Sequence, residues 1–191
     1  MKPGRLAVQF LLSVSLLLCA TSTQAQTQTG KRPGAGKSPV SAHEQRRQRA
    51  ATLVELKRID EAAEILRQLV EERPNFSRAW LDLGNLYWEH QKKYEEAETA
   101  YREGLKGIPD DLTALYRYGW TLNELDKHEE AMAPLQRALR LDPDYSDALS
   151  ELGYAYRFTN RLDQAIAAYR RATELKPTTA SYFYGLGNSY F

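Results

Sequence analysis

Few side chains in this sequence are of the types that do chemistry. There are three histidines, His43, His90 and His128, and one cysteine, Cys19. Zinc hydrolases place histidines at ligand spacing such as H-E-x-x-H, and none of the three shows it. No nucleophile can be matched with a base, so the histidines are expected to be solvated surface groups, as exposed polar residues usually are. The acids Glu95, Glu96 and Glu98, like Glu129 and Glu130, open helical patterns, where negative charge favours the helix dipole. The run AGKS at 35–38 has a phosphate-loop flavour, but it lacks the opening glycine and a preceding strand, so it reads as linker. Net charge is +1, from 26 basic and 25 acidic residues. That balance provides no field for nucleic acid. The residues therefore predict no enzyme, no metal and no cofactor.

The first stretch has a different character. Lys2 and Arg5 precede an apolar run from Leu6 to Ala20, and Thr23-Gln24-Ala25 offers small residues at a cleavage site. This is the plan of a secretory signal peptide over residues 1–25. An uncleaved anchor is the competing reading, but the 15-residue run spans roughly 22 Å against a hydrocarbon core of ~30 Å. A lipid-anchored version through Cys19 needs a small residue before the cysteine, and Leu18 is bulky. Cleavage after Ala25 would remove Lys2, Arg5 and Cys19, changing the charge from +1 to −1 and leaving no cysteine. Residues 26–42, rich in Gly, Pro, Ser and Thr, are expected to form a disordered tether.

From residue 43 onward the chain repeats. Gly84, Gly119, Gly153 and Gly187 are separated by 35, 34 and 34 residues. The same steps separate Ala62, Ala97, Ala131 and Ala165, and again Pro74, Pro109, Pro143 and Pro177. One period shared by three residue types marks a repeat architecture. The single extra residue falls near Gln91–Lys93, in a polar stretch expected to be a turn. Each period contains two helical patterns. The first places Trp80, Leu83, Gly84 and Tyr87 at i, i+3, i+4 and i+7; the second carries Ala97, Tyr101 and Gly104 on one face and ends at proline. Asp110, Asp144 and Thr178 are expected to start the following helices. Short connections make neighbouring helices antiparallel.

The pattern Trp80-x2-Leu83-Gly84-x2-Tyr87, followed by Ala97, Tyr101 and Pro109, resembles the tetratricopeptide repeat family. The resemblance covers residues 43–191, with copies at about 43–76, 77–111, 112–145 and 146–179 and a partial copy at 180–191. The first copy is degenerate, with Ala50 for glycine and Arg46 and Arg49 at early apolar positions, which suits an end repeat facing solvent. The resemblance implies an all-α, right-handed superhelical solenoid of antiparallel helix pairs. It also gives Gly84 a reason. A glycine inside a helix costs about 1 kcal/mol relative to alanine, and here small residues let the paired helices approach, with Trp80 and Tyr101 expected around Gly84 and Ala97. In the partial copy, Phe183, Leu186 and Tyr190 are expected to lack a covering helix, so that the sequence is a fragment or this face docks elsewhere.

In the resembled family the first helices line a concave groove that binds extended peptides or partner helices. One residue beyond the core stripe, a second stripe places Leu81, Asn85 and Trp88, then Tyr116, Trp120 and Asn123, then Ser150, Tyr154 and Arg157, and finally Tyr184 and Asn188 on one face. Trp120 and Tyr154 depart from the asparagine usual there, and Phe158 lies beside them. Large rigid aromatics are typical binding anchors, with Arg117, Arg157 and Glu151 available to orient polar groups. A groove that clamps a terminal carboxylate is disfavoured. Its basic and amide places hold Leu81 and Asn85, Arg117, and Asp147 and Glu151, and the two acids would repel a carboxylate. The sequence thus predicts a protein-binding scaffold, exported by a bacterium to its periplasm or surroundings, which engages a protein segment. The alternative is an accessory domain of a longer enzyme.

Overall fold

In the computed structural model, residues 41–190 are described. The expected signal peptide, most of the expected tether, Cys19 and the AGKS run lie outside them. Every described element is helical. The order is α1 (Ala42–Glu55), α2 (Ile59–Glu72), α3 (Ser77–Leu86), α4 (Tyr94–Gly107), α5 (Leu112–Glu124), α6 (His128–Leu141), α7 (Ser146–Phe158), α8 (Leu162–Leu175) and α9 (Ala180–Asn188). Ser41 caps α1, its hydroxyl accepting from the Glu44 N–H at 3.2 Å, so the end of the expected tether already belongs to the helix.

Each helix packs mainly on its chain neighbours, and the odd-numbered helices also touch one another in succession, from α1 through α9. That is the stacking of an all-α solenoid. The core runs through the stack as two groups, one from Ala50 to Ala114 and one from Leu115 to Tyr169, bridged by Leu105 and Tyr118.

The repeat glycines show why the period is held. A Cβ on Gly84 would meet Tyr101 at 2.9 Å, one on Gly119 would meet Leu135 at 2.4 Å, and one on Gly153 would meet Tyr169 at 2.9 Å. In each repeat the second helix thus presses a large side chain into the space of the missing methyl. Nothing comes within 4 Å of that place at Gly187. Trp80 packs against the core group that holds Ala97 and Tyr101, and its indole N–H also donates to the Pro74 carbonyl at 2.9 Å, tying α3 to the preceding turn.

The three expected helix starts are corrected. Asp111, not Asp110, caps α5 by accepting from the Ala114 N–H at 3.0 Å. Asp110 and Asp144 instead pair with Arg137 and Arg171, each at 2.8 Å, and α9 starts after Thr179 with no side-chain cap. The turns between first and second helices all contain a left-handed residue, Lys57, Lys92, Asp126 and Asn160. Helices commonly end this way, although glycine usually fills the position. The extra residue of the second repeat is absorbed just before this point, as a π-helical turn over Tyr87–Gln91. The closing bond from Lys93 N–H to the Tyr87 carbonyl therefore spans one residue more than the equivalent Lys127-to-Leu122 bond.

Candidate functional site: the face of the first helices

The odd-numbered helices present the expected second stripe, but not all of it reaches solvent. Leu81 is only 2% exposed. A Cβ on Gly104 would lie 2.3 Å from the Leu81 side chain, so Leu81 fills the room that Ala138 and Ala172 occupy themselves in later repeats. Asn123 is also 2% exposed. Its amide donates to the Glu151 carbonyl and to Glu151 Oε2, both at 3.0 Å. These two are structural residues rather than accessible groove contacts.

The remaining stripe forms two aromatic groups. Trp120 meets Trp88 edge-on at 5.0 Å and Tyr94 at 5.4 Å, and the Arg117 guanidinium lies 4.7 Å from the Trp88 ring centre. Arg117 also pairs with Glu89 at 3.6 Å. One repeat later, Tyr154 meets His128 at 5.6 Å and Phe158 at 4.6 Å, with Arg157 held 4.3 Å over Phe158. Tyr94 and His128 are equivalent first residues of second helices, 34 positions apart. Both rings of the stripe thus rest partly on the preceding repeat. The sequence reading missed these partners, although the shared 34-residue step of Tyr94 and His128 was available as a signal.

His128 is not the solvated group expected. Its side chain is 11% exposed, stacks on Phe158 at 4.6 Å, and approaches Asn123 Oδ1 at 3.3 Å. Burial lowers its pKa from the ordinary histidine value. Glu98 also leaves the expected helix surface: it is 7% exposed and bound by Lys127 at 2.6 Å and Arg102 at 3.1 Å.

Between α5, α7 and α9 lies an open cavity of about 360 Å³, bordered by Tyr116, Asp147, Glu151, Tyr154, Tyr184 and Asn188. Tyr184 is 73% exposed at its edge. Tyr116 leans on Tyr145 at 5.0 Å, and burial raises its phenol well above the ordinary range. Burial also pushes the Glu151 carboxyl up to about 7, offset in part by the Asn123 hydrogen bond. A smaller cavity of about 250 Å³ lies between α1 and α3, lined in part by Val54, Asp82 and Asn85. Asn85 accepts from the Tyr101 hydroxyl at 2.9 Å, and Asp82 pairs with Arg47 at 2.6 Å. Among the described residues, no group of three or more His, Cys, Asp or Glu could hold a metal ion, and no helix is long and apolar enough to cross a membrane. The arrangement offers aromatic surface, a few fixed charges and space for a chain segment.

This helix-pair stack, with its small residues under large ones, defines a tetratricopeptide array. Family models described as tetratricopeptide repeat and TPR repeat match residues 47–111, and 119–159 and 153–191, respectively. The chain belongs to the tetratricopeptide repeat family. No curated protein matches the sequence. Among solved structures, MamA (41-end) from Desulfovibrio magneticus RS-1 is 22% identical, covering 78% of this chain and 85% of that one, with a TM-score of 0.71. YrrB, described as a TPR protein with an unusual peptide-binding site, is 24% identical over 76% of this chain and 74% of its own, with a TM-score of 0.71. The first TPR of Spaghetti (RPAP3), bound to the HSP90 peptide SRMEEVD, is 25% identical over 60% of this chain and 90% of its own, with a TM-score of 0.56.

Proposed function

We propose that the protein is a non-enzymatic interaction scaffold whose first-helix face binds a segment of a partner protein. The cavity between α5, α7 and α9, opened to solvent and walled by tyrosines, carries this reading. Peptide-bound or peptide-binding relatives of the same fold support it. The signal-like residues 1–25 support export, so the proposed setting is the assembly of complexes in a bacterial envelope or secreted space.

The test is a titration of envelope-protein fractions against wild type, Trp120→Ala, Tyr154→Ala and Arg137→Ala. Truncating a binding anchor costs ≥2 kcal/mol, so each aromatic variant should bind over tenfold more weakly. Arg137 pairs with Asp110 near the α4–α5 turn, and its replacement should not matter. Because both rings also pack on neighbouring helices, circular dichroism must show the variants folded. Folded aromatic variants that bind as tightly as wild type would move the site elsewhere. Fractionation tests the location: an unprocessed cytosolic chain would remove the envelope role.

A second reading, that the array is the accessory domain of a longer enzyme, draws on the open face of α9. Phe183, Tyr184 and Tyr190 are exposed there, and the place beside Gly187 is empty. A globular extension in the coding sequence beyond codon 191 would support it, and an immediate stop would exclude it.

A further inference from the structure

The cavity between α5, α7 and α9 contains a carboxylate that lacks a counter-ion. Asp147 and Glu151 are four residues apart and share one face of α7. Asp147 is already matched, with Lys176 Nζ at 3.1 Å and the Tyr182 hydroxyl bonded to it. Glu151 has only the Asn123 amide, 3.0 Å from Oε2, and among the described residues no basic side chain pairs with it. The charged groups that act on it most, Glu124 and Asp147, are both acids. Arg157, which also lines the cavity, lies over the faces of Phe158 and Tyr154, at 4.3 and 5.5 Å, and does not pair with Glu151. Tyr116, Tyr154 and Tyr184 wall the remaining space. Aromatic faces attract cations.

We propose that this cavity receives a basic side chain, lysine or arginine, from the bound partner segment, with Glu151 as its counter-ion and the tyrosines as its walls. The inference rests on the groove reading above and specifies the ligand's charge at one position. The occupant follows from charge complementarity. An apolar side chain would bury Glu151 further without a partner, which is costly. An acidic one would face both Glu151 and Asp147. A cation holds Glu151 ionised, so capture strengthens between pH 6 and pH 8. Of the other groups near it, Asp147 and Glu124 are acids, Lys176 and Arg157 are bases, and burial holds His128 below its ordinary range. Glu151 is therefore the group that changes charge across that window.

The experiment immobilises the full chain, wild type or Glu151→Gln, and presents a pool of acetylated, amidated ten-residue peptides random at every position. Wild type should enrich lysine or arginine at one position by about fivefold, the scale of one partly exposed ion pair. Glu151→Gln should lose that preference and keep the neighbouring apolar ones. Wild type should also lose it at pH 6 relative to pH 8, a readout that needs no substitution. Enrichment of apolar peptides without a basic position, or a basic preference unchanged in Glu151→Gln, overturns this inference while the groove reading stands. No enrichment by folded wild type overturns the groove reading and this inference with it. A peptide copied from residues 28–40, which holds Lys31, Arg32 and Lys37, is run as competitor. If it displaces the pool as well as the best enriched sequence, the occupant is the chain's own amino-terminal segment and the partner assignment falls.

Discussion

Gly153 and Gly187 occupy the same place in consecutive repeats and have opposite surroundings. At Gly153 the Tyr169 ring from α8 stands where a methyl would be, and at Gly187 there is open space. The same residue thus meets a packing demand in one helix and none in the next. Tyr169 sharpens the contrast because it is wedged between both sides, with a Cβ on Gly185 of α9 coming within 2.3 Å of it. The repeat signature is therefore a record of paired helices: the glycine is needed where a second-helix side chain fills its place.

Four measurements can break or refine that contrast. Tyr169→Ala should have the largest effect, about 3–5 kcal/mol of lost stability in urea or thermal unfolding, since one buried ring serves both α7 and α9. Gly153→Leu should cost about 1–3 kcal/mol by overpacking against Tyr169. A variant as stable as wild type would show that α8 can retreat freely.

Glu151→Gln should act with the opposite sign, and only at higher pH. Burial lifts the Glu151 pKa from 4.5 to about 7 in the folded chain, so the folded state binds this proton more readily than the unfolded state. Stability from the neutral carboxyl is complete below pH 4.5 and is lost as pH climbs through 7. The glutamine variant keeps the neutral shape, so it should exceed wild type by about 3 kcal/mol at pH 8 and match it at pH 4.5. Melting temperatures that differ equally at both values would disprove the titration. The smallest effect belongs to Gly187→Ala, expected to raise stability by up to about 1 kcal/mol through helix propensity alone. A loss there would mean that α9 is covered in solution.

The period, the helix pairs, the proline stops and the use of small residues were all legible in the sequence, because each repeats at one spacing and reports a local constraint. The face of the first helices was legible only in outline. Leu81 shares a register position with Tyr116, yet one is buried and the other borders a cavity. The difference comes from Gly104 on another helix, where later repeats have alanine. Asn123 was hidden for a similar reason: its partner, Glu151, is 28 residues away on the next first helix. His128 was assigned to solvent because its cover, Phe158, comes from the next repeat. Within a helix the sequence names neighbours through spacing, whereas across repeats it names only positions, and side-chain size decides contact.

The π-helical turn at Tyr87–Gln91 gives the chain a place where its length can change without changing its phase. One added residue there displaces none of the later glycines, alanines or prolines from their 34-residue step. The left-handed residue Lys92 restores the path of the backbone before α4 begins. This segment works as an expansion joint, absorbing a difference in length between two stiff neighbours. Each repeat beyond it keeps its own alignment, and a further residue inserted at the same joint would leave the cavity on α7 and α9 undisturbed.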